Sequence, residues 1–243
     1  MIPIVIVSSK GGVGKTLFSI NLALELSKNH KTALLDIDLD SSNEAGLFGL
    51  DSDSDINLET RKLIPKEYNG LKIFAMSIFL PRADMGVTIP EPQRRTFIIE
   101  AIKNTEWGEL DFMIIDTPGG TGIELTTVHQ LLPDCMVIIV SELNQTEDYI
   151  RTVDVLRHYN IKIIGVIENC TSGWMHGKPV FCSCGCGEKF SPYGEGTNKD
   201  VLPDIKFLGS IPLCGEIYKT NPPRIPEEFM TEIMENLKDR GLV

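Results

Sequence analysis

No run of lysine and arginine occurs anywhere in the 243-residue chain; its 23 basic residues are scattered among 34 acidic ones, and the formal net charge is −11. A nucleic-acid binder must neutralise phosphates with a basic face. General nucleic-acid binding is therefore not expected, and docking on an anionic membrane surface is disfavoured. No apolar stretch approaches the length of a membrane span. The opening "MIPIVIVSSKGG" has a short apolar run without a basic leader, so no signal peptide is expected. Internal repeats and low-complexity tracts are missing too. Cysteine is scarce, with six in all, yet three crowd into "FCSCGCGEKF" at 182, 184 and 186. The expected compartment is the cytoplasm, where thiols stay reduced and clustered cysteines more often mean metal or catalysis than disulfides.

Short β-branched runs alternate with helical patterns along the chain. The runs at 2–8, 32–38, 71–77, 112–117, 135–141, 161–167 and 205–211 read as strands. Helical patterns lie at about 15–28, 90–104, 121–132, 145–158 and 226–240. The alternation predicts βαβ units: an α/β fold with a doubly wound, mainly parallel sheet of about seven or eight strands and helices on both faces. Residues 51–70 and 78–90 read as polar or Pro-rich loops, and about 170–204 as a long irregular insertion carrying the cysteines. One domain over 1–243 is the economical reading.

The first strand runs into "SSKGGVGKT" (8–16) and then a helix. That order makes a nest of backbone N–H groups around a phosphate. Gly11, Gly12 and Gly14 let the backbone come close, with Val13 between them and Leu17 following in the helix. Lys15 reaches the β and γ phosphates, and the Thr16 hydroxyl suits Mg²⁺. The position six before Lys15, glycine in a standard P-loop, is Ser9, and Lys10 follows it. Downstream, "ALLDIDLD" places Asp36, Asp38 and Asp40 where a strand leaves the sheet, the end at which open α/β folds bind ligands.

"KGGVGKT" resembles the deviant Walker A motif of the MinD/ParA/Mrp class of P-loop ATPases. The resemblance implies a homodimer in which Lys10 reaches the partner's ATP. It matches Asp36 and Asp38 to a D-x-D switch, with Asp38 orienting or deprotonating the attacking water. "FMIIDTPGGTG" (112–122) looks like Walker B leading into switch II, which gives Asp116 to the Mg²⁺ shell and mobility to Gly119 and Gly120. "WGELDFMIIDTPGGTGIELTTVHQLLP" (107–133) and "GVIENC" (165–170) are similar to stretches of the Mrp/ApbC family, whose second switch proline is Gly119 here. By that match Asn169 contacts adenine and Pro212 joins the nucleotide site. These are ATPases that assemble or carry iron–sulfur clusters, with a [4Fe–4S] cluster bridging the dimer and apo iron–sulfur proteins as recipients.

The family pair is C-x-x-C, whereas this chain has Cys182, Cys184 and Cys186. Thiolates suit clusters, Zn²⁺ or Cu(I). On a flat strand the three would stand about 6.6 Å apart, too far for one metal with bonds of about 2.3 Å, so the segment must curl at Gly185 and Gly187. A bridging cluster would take two cysteines per chain, Cys182 and Cys186 first. A zinc site would draw a fourth ligand from Cys170, Cys214, His176 or the other subunit. A C-x-C pair also fits a chaperone that inserts nickel or another ion. A MinD/ParA-type positioning ATPase is the other rival, disfavoured by the missing basic face and basic tail. Cys135, opening a strand, reads as a buried small hydrophobe; His30 and His158 read as surface residues, and His129 as packing.

Overall fold

The computed structural model describes residues 1–39, 44–50, 55–75, 89–142, 146–181 and 201–242. The first half contains β1 (Ile2–Val7), α1 (Lys15–Ser27), β2 (Thr32–Asp36) and a single turn, α2 (Glu44–Leu47). Short strands β3 (Asp55–Ile56), β4 (Leu63–Ile64) and β5 (Lys66–Tyr68) precede β6 (Leu71–Ala75) and α3 (Glu91–Lys103). Then come β7 (Phe112–Asp116), α4 (Ile123–Leu131), β8 (Met136–Glu142), α5 (Thr146–His158) and β9 (Lys162–Met175). β10 (Lys178–Pro179), β11 (Phe207–Leu213) and α6 (Glu227–Lys238) complete the described chain.

Every residue of β2 and β7 is buried, as strands covered on both faces require. The sheet order is β10-β9-β8-β1-β7-β2-β6-β5, with β11 alongside β9. Side-chain alternation splits the core into two layers. Ile4 and Ile6 of β1 face the layer holding Phe18 of α1 and Ile233 of α6. Val5 and Val7 face the layer holding Ile98, Val128 and Val153 of α3, α4 and α5. Helices thus cover both faces.

The seven strands expected from apolar runs are the parallel ones. The sheet nonetheless has nine, because β5 and β10 add antiparallel partners to β6 and β9. Those two strands read Lys-Glu-Tyr and Lys-Pro and carry no hydrophobic pattern. The expected loop at 51–70 therefore contains three short strands. Its β5–β6 turn is Asn69-Gly70, with φ of 49° and 85°, the two-residue hairpin signal that the sequence does contain.

β9 also exceeds expectation. It runs on to Met175 because β11 pairs with it as far as Gly173 and β10 holds its last two residues. The start of the expected irregular insertion is thus regular sheet, with a register shift near Cys170, whose φ is 56°. Cys182, Cys184, Cys186 and Asp40 lie outside the described residues, as does nearly all of the expected loop at 78–90.

Candidate functional site

The parallel strands β1, β2 and β7 end side by side, with Asp36 in register with Asp116 and Asp116 with Ile6. The loop after β1 turns over this end into α1. Gly12 and Gly14 hold φ of 84° and 91°, the left-handed region that glycine adopts without strain. Lys15 opens α1 and is 6% exposed, and its Nζ donates to the Ser8 hydroxyl at 2.9 Å. Burial lowers its pKa, while Asp116 and then Asp38 act to raise it. Thr16 Oγ1 donates to one oxygen of Asp116 at 2.6 Å, and Ser19 Oγ donates to the other at 2.9 Å. Burial pushes the Asp116 carboxyl up to about 6 against the opposing pull of the Thr16 hydrogen bond and the Lys15 charge. A hydroxyl and a carboxylate already in contact form the hard-oxygen donor set that Mg²⁺ takes. The residues therefore fit the metal.

A cavity of about 550 Å³ opens at this point. Gly11, Gly12, Gly14, Lys15, Thr16 and Leu17 line it with Asp38, Gly46, Leu47, Tyr218 and Pro223. The backbone N–H of Asp38 donates to Asp36 Oδ1 at 2.8 Å, fixing the turn between the two acids. Lys10 is exposed. Asn169 is 7% exposed and is committed to the loop: its Nδ2 donates to the Val13 carbonyl at 2.9 Å and its Oδ1 accepts from the Cys170 N–H at 2.9 Å. It braces the phosphate loop and does not line the cavity. Pro212 does not line it either; it sits in β11 at a register shift beside Asn169. The proline lacks the N–H that a regular ladder would use there.

Gly119 approaches the loop closely. A Cβ on it would stand 2.4 Å from the Gly11 nitrogen and 2.8 Å from the Lys10 carbonyl carbon. Beside it, the Gly120 N–H donates to the Ser8 carbonyl at 2.8 Å. The backbone of 119–120 is thus docked on the phosphate loop.

Four contributors went unrecognised in the sequence: Ser8, Ser19, Tyr218 and Pro223. The serines act through hydroxyls whose partners are set by the fold. Tyr218 and Pro223 follow the last strand in "IYKTNPP", a proline-rich stretch that was the available signal. Asn21 of α1 fixes that stretch, donating to the carbonyls of Leu17 at 2.8 Å and Pro223 at 3.1 Å, and accepting from the Ile225 N–H at 3.0 Å. Among the described residues no group of three or more His, Cys, Asp or Glu is placed to hold a metal. Cys135 and Cys214 are buried and Cys170 half-buried. His129 Nδ1 lies 3.8 Å from Cys135 Sγ, and burial pushes that thiol up to about 11. His30 is half-buried, edge-on to Phe112 at 5.1 Å, rather than a free surface residue. Trp174 packs on Phe229 of α6, and no helix among the described residues is long and apolar enough to cross a membrane.

A parallel sheet, a glycine loop leading into a helix with lysine and threonine at its start, and a strand-end aspartate on that threonine together define a P-loop NTPase. The chain belongs to the NUBPL iron-transfer P-loop NTPase family of the ParA group, which it matches over residues 2–236. It is 32% identical over 215 residues to an iron–sulfur cluster carrier protein of Aquifex aeolicus, covering 86% of this chain and 57% of the relative. It is 33% identical over 219 residues to the cytosolic Fe-S cluster assembly factor NUBP2 homolog of Dictyostelium discoideum, covering 86% of this chain and 80% of that protein. The chain thus spans little more than half the length of the Aquifex carrier, and 62% of a similar carrier from Bacillus subtilis. Among solved structures it resembles a nucleotide-binding protein of Archaeoglobus fulgidus in complex with ADP, with a TM-score of 0.73, 25% identity, and coverage of 96% of this chain and 88% of that one. The septum site-determining protein MinD of Pyrococcus horikoshii shares the fold, with a TM-score of 0.63, 20% identity, and coverage of 99% and 97%.

Proposed function

We propose that this chain is a homodimeric carrier or scaffold that binds and slowly hydrolyses MgATP while holding an iron–sulfur cluster for transfer to apo proteins. The observation that carries the reading is the cavity in which Lys15, Thr16 and Asp38 meet beside Asp116, in a chain whose family match spans the domain. Gly11 to Thr16 cradle the phosphates, and Lys15 places its charge at the β and γ groups. Thr16 and Asp116 hold Mg²⁺, which supplies neutralising charge. Asp38, at the cavity wall, orients the attacking water, and the exposed Lys10 reaches the partner's nucleotide. Cys182, Cys184 and Cys186 provide the thiolates for the cargo, two from each chain.

Two measurements test this. Lys15→Ala should abolish MgATP binding measured by calorimetry; a variant that binds as tightly as the parent refutes the nucleotide site. Anaerobic reconstitution should give a broad absorption band at about 400 nm with bound iron and sulfide. Zinc or nickel bound without that band refutes the cluster and leaves a metal site in the same segment.

A further inference from the structure

Ser8 ties together the parts of the phosphate site, and the nucleotide reading above gives it no role. It follows β1 directly and is 0% exposed. Its hydroxyl has one proton and two lone pairs. The proton is committed to the Lys10 carbonyl at 2.6 Å, which turns the lone pairs away from that carbonyl. Lys15 Nζ donates to the hydroxyl oxygen at 2.9 Å. The Ser8 carbonyl receives the Gly120 N–H at 2.8 Å. Lys10, Lys15 and the segment after β7 are therefore all attached to one buried residue.

The hydroxyl addresses a specific difficulty. Lysine is a point charge on a flexible stem with three donors, and the Lys15 ammonium sits within the electrostatic reach of Asp116 and Asp38. Left without an acceptor on the loop side, it is drawn toward the carboxylate that Mg²⁺ needs. Ser8 occupies one of the three donors and leaves two for phosphate oxygens.

We propose that Ser8 is a positioning residue for Lys15, its hydroxyl holding the ammonium off Asp116 and over the phosphate loop both before and after a nucleoside triphosphate binds. This rests on the nucleotide-binding reading, and the test separates the two. Ser8→Thr and Ser8→Val are nearly the same shape and differ in the hydroxyl. MgATP binding to the full chain is measured by titration calorimetry for the parent and both variants. Ser8→Thr should bind within about threefold of the parent, and Ser8→Val roughly tenfold or more weaker, the loss expected for one hydrogen bond to a charged group. Should the extra methyl prevent folding, Ser8→Ala removes the oxygen without adding volume. It should show the same loss with an unchanged far-ultraviolet circular dichroism spectrum. Thr and Val variants that bind alike overturn the proposal, because shape and not the hydroxyl then matters. Tighter binding by Ser8→Val or Ser8→Ala also overturns it, since the contact would then be a resting latch that phosphate must break. A parent chain that binds no MgATP overturns the nucleotide reading and this inference together.

Discussion

Gly119 stands where the resembling family has proline, and in this chain there is no room for a Cβ at that position. A Cβ there would meet the backbone of Lys10 and Gly11, atoms that cannot swing aside as a side chain can. Gly119→Ala should therefore lower stability by about 1–3 kcal/mol, the usual cost of overpacking, measured by denaturant unfolding. An unchanged midpoint would mean that the 119–120 segment moves away at no cost. Asp38→Asn removes a charge at the cavity wall and leaves the phosphate cradle, so MgATP should still bind by calorimetry while steady-state turnover falls by at least about tenfold. Cys135 offers a pH test. Its thiol titrates at about 11 in the fold against an ordinary 9.0, chiefly through burial. The folded chain holds that proton longer than the unfolded one, so this contribution to stability is whole below pH 9 and is lost as pH rises through about 11. Iodoacetamide at pH 8 should accordingly leave Cys135 unmodified in the native protein and label it after unfolding, as read by mass spectrometry. The grouping of Lys15, Thr16, Asp38 and Asp116 was legible because phosphate-loop chemistry fixes the first two and the others lie at strand ends in stretches that resemble known switch and Walker B motifs. Ser8 and Ser19 were not, since neither stands at a motif position and only the fold shows that their hydroxyls meet Lys15 and Asp116.

Elements were read from apolar runs, and this succeeded wherever both faces of a strand are buried. It failed for β5 and β10, whose edge positions need no apolar residues, and for the second half of β9, whose partners lie in later chain. That extension matters to the site because Asn169 sits on it. Asn169→Ala removes a buried amide and strands the Val13 carbonyl and the Cys170 N–H. A loss of about 1–3 kcal/mol is expected on denaturant unfolding, together with weaker nucleotide binding as the loop loses its brace. If binding weakens with no change in stability, Asn169 acts on the base directly and the bracing role fails. Asn21 does for the other wall what Asn169 does for the loop, tying α1 to the segment that carries Pro223.

At the scale of the whole molecule, the family and the fold were foreseeable from three motifs in order. The cysteine site was not resolvable, because C-x-C-x-C permits several ligand sets, within one chain or between two. Lys10→Ala should leave the cradle intact and weaken ATP-dependent association, measured by light scattering with a slowly hydrolysed analogue; normal association would refute the trans-acting lysine. The sheet's borders add a constraint of a different kind. Among the described residues one border is β5, Lys66-Glu67-Tyr68; the other is formed by β11, which contains Pro212, and by β10, Lys178-Pro179. Charge and proline on an outer strand keep a neighbour's strand from adding on. Among the described residues, then, neither border of the sheet invites a second copy to extend it.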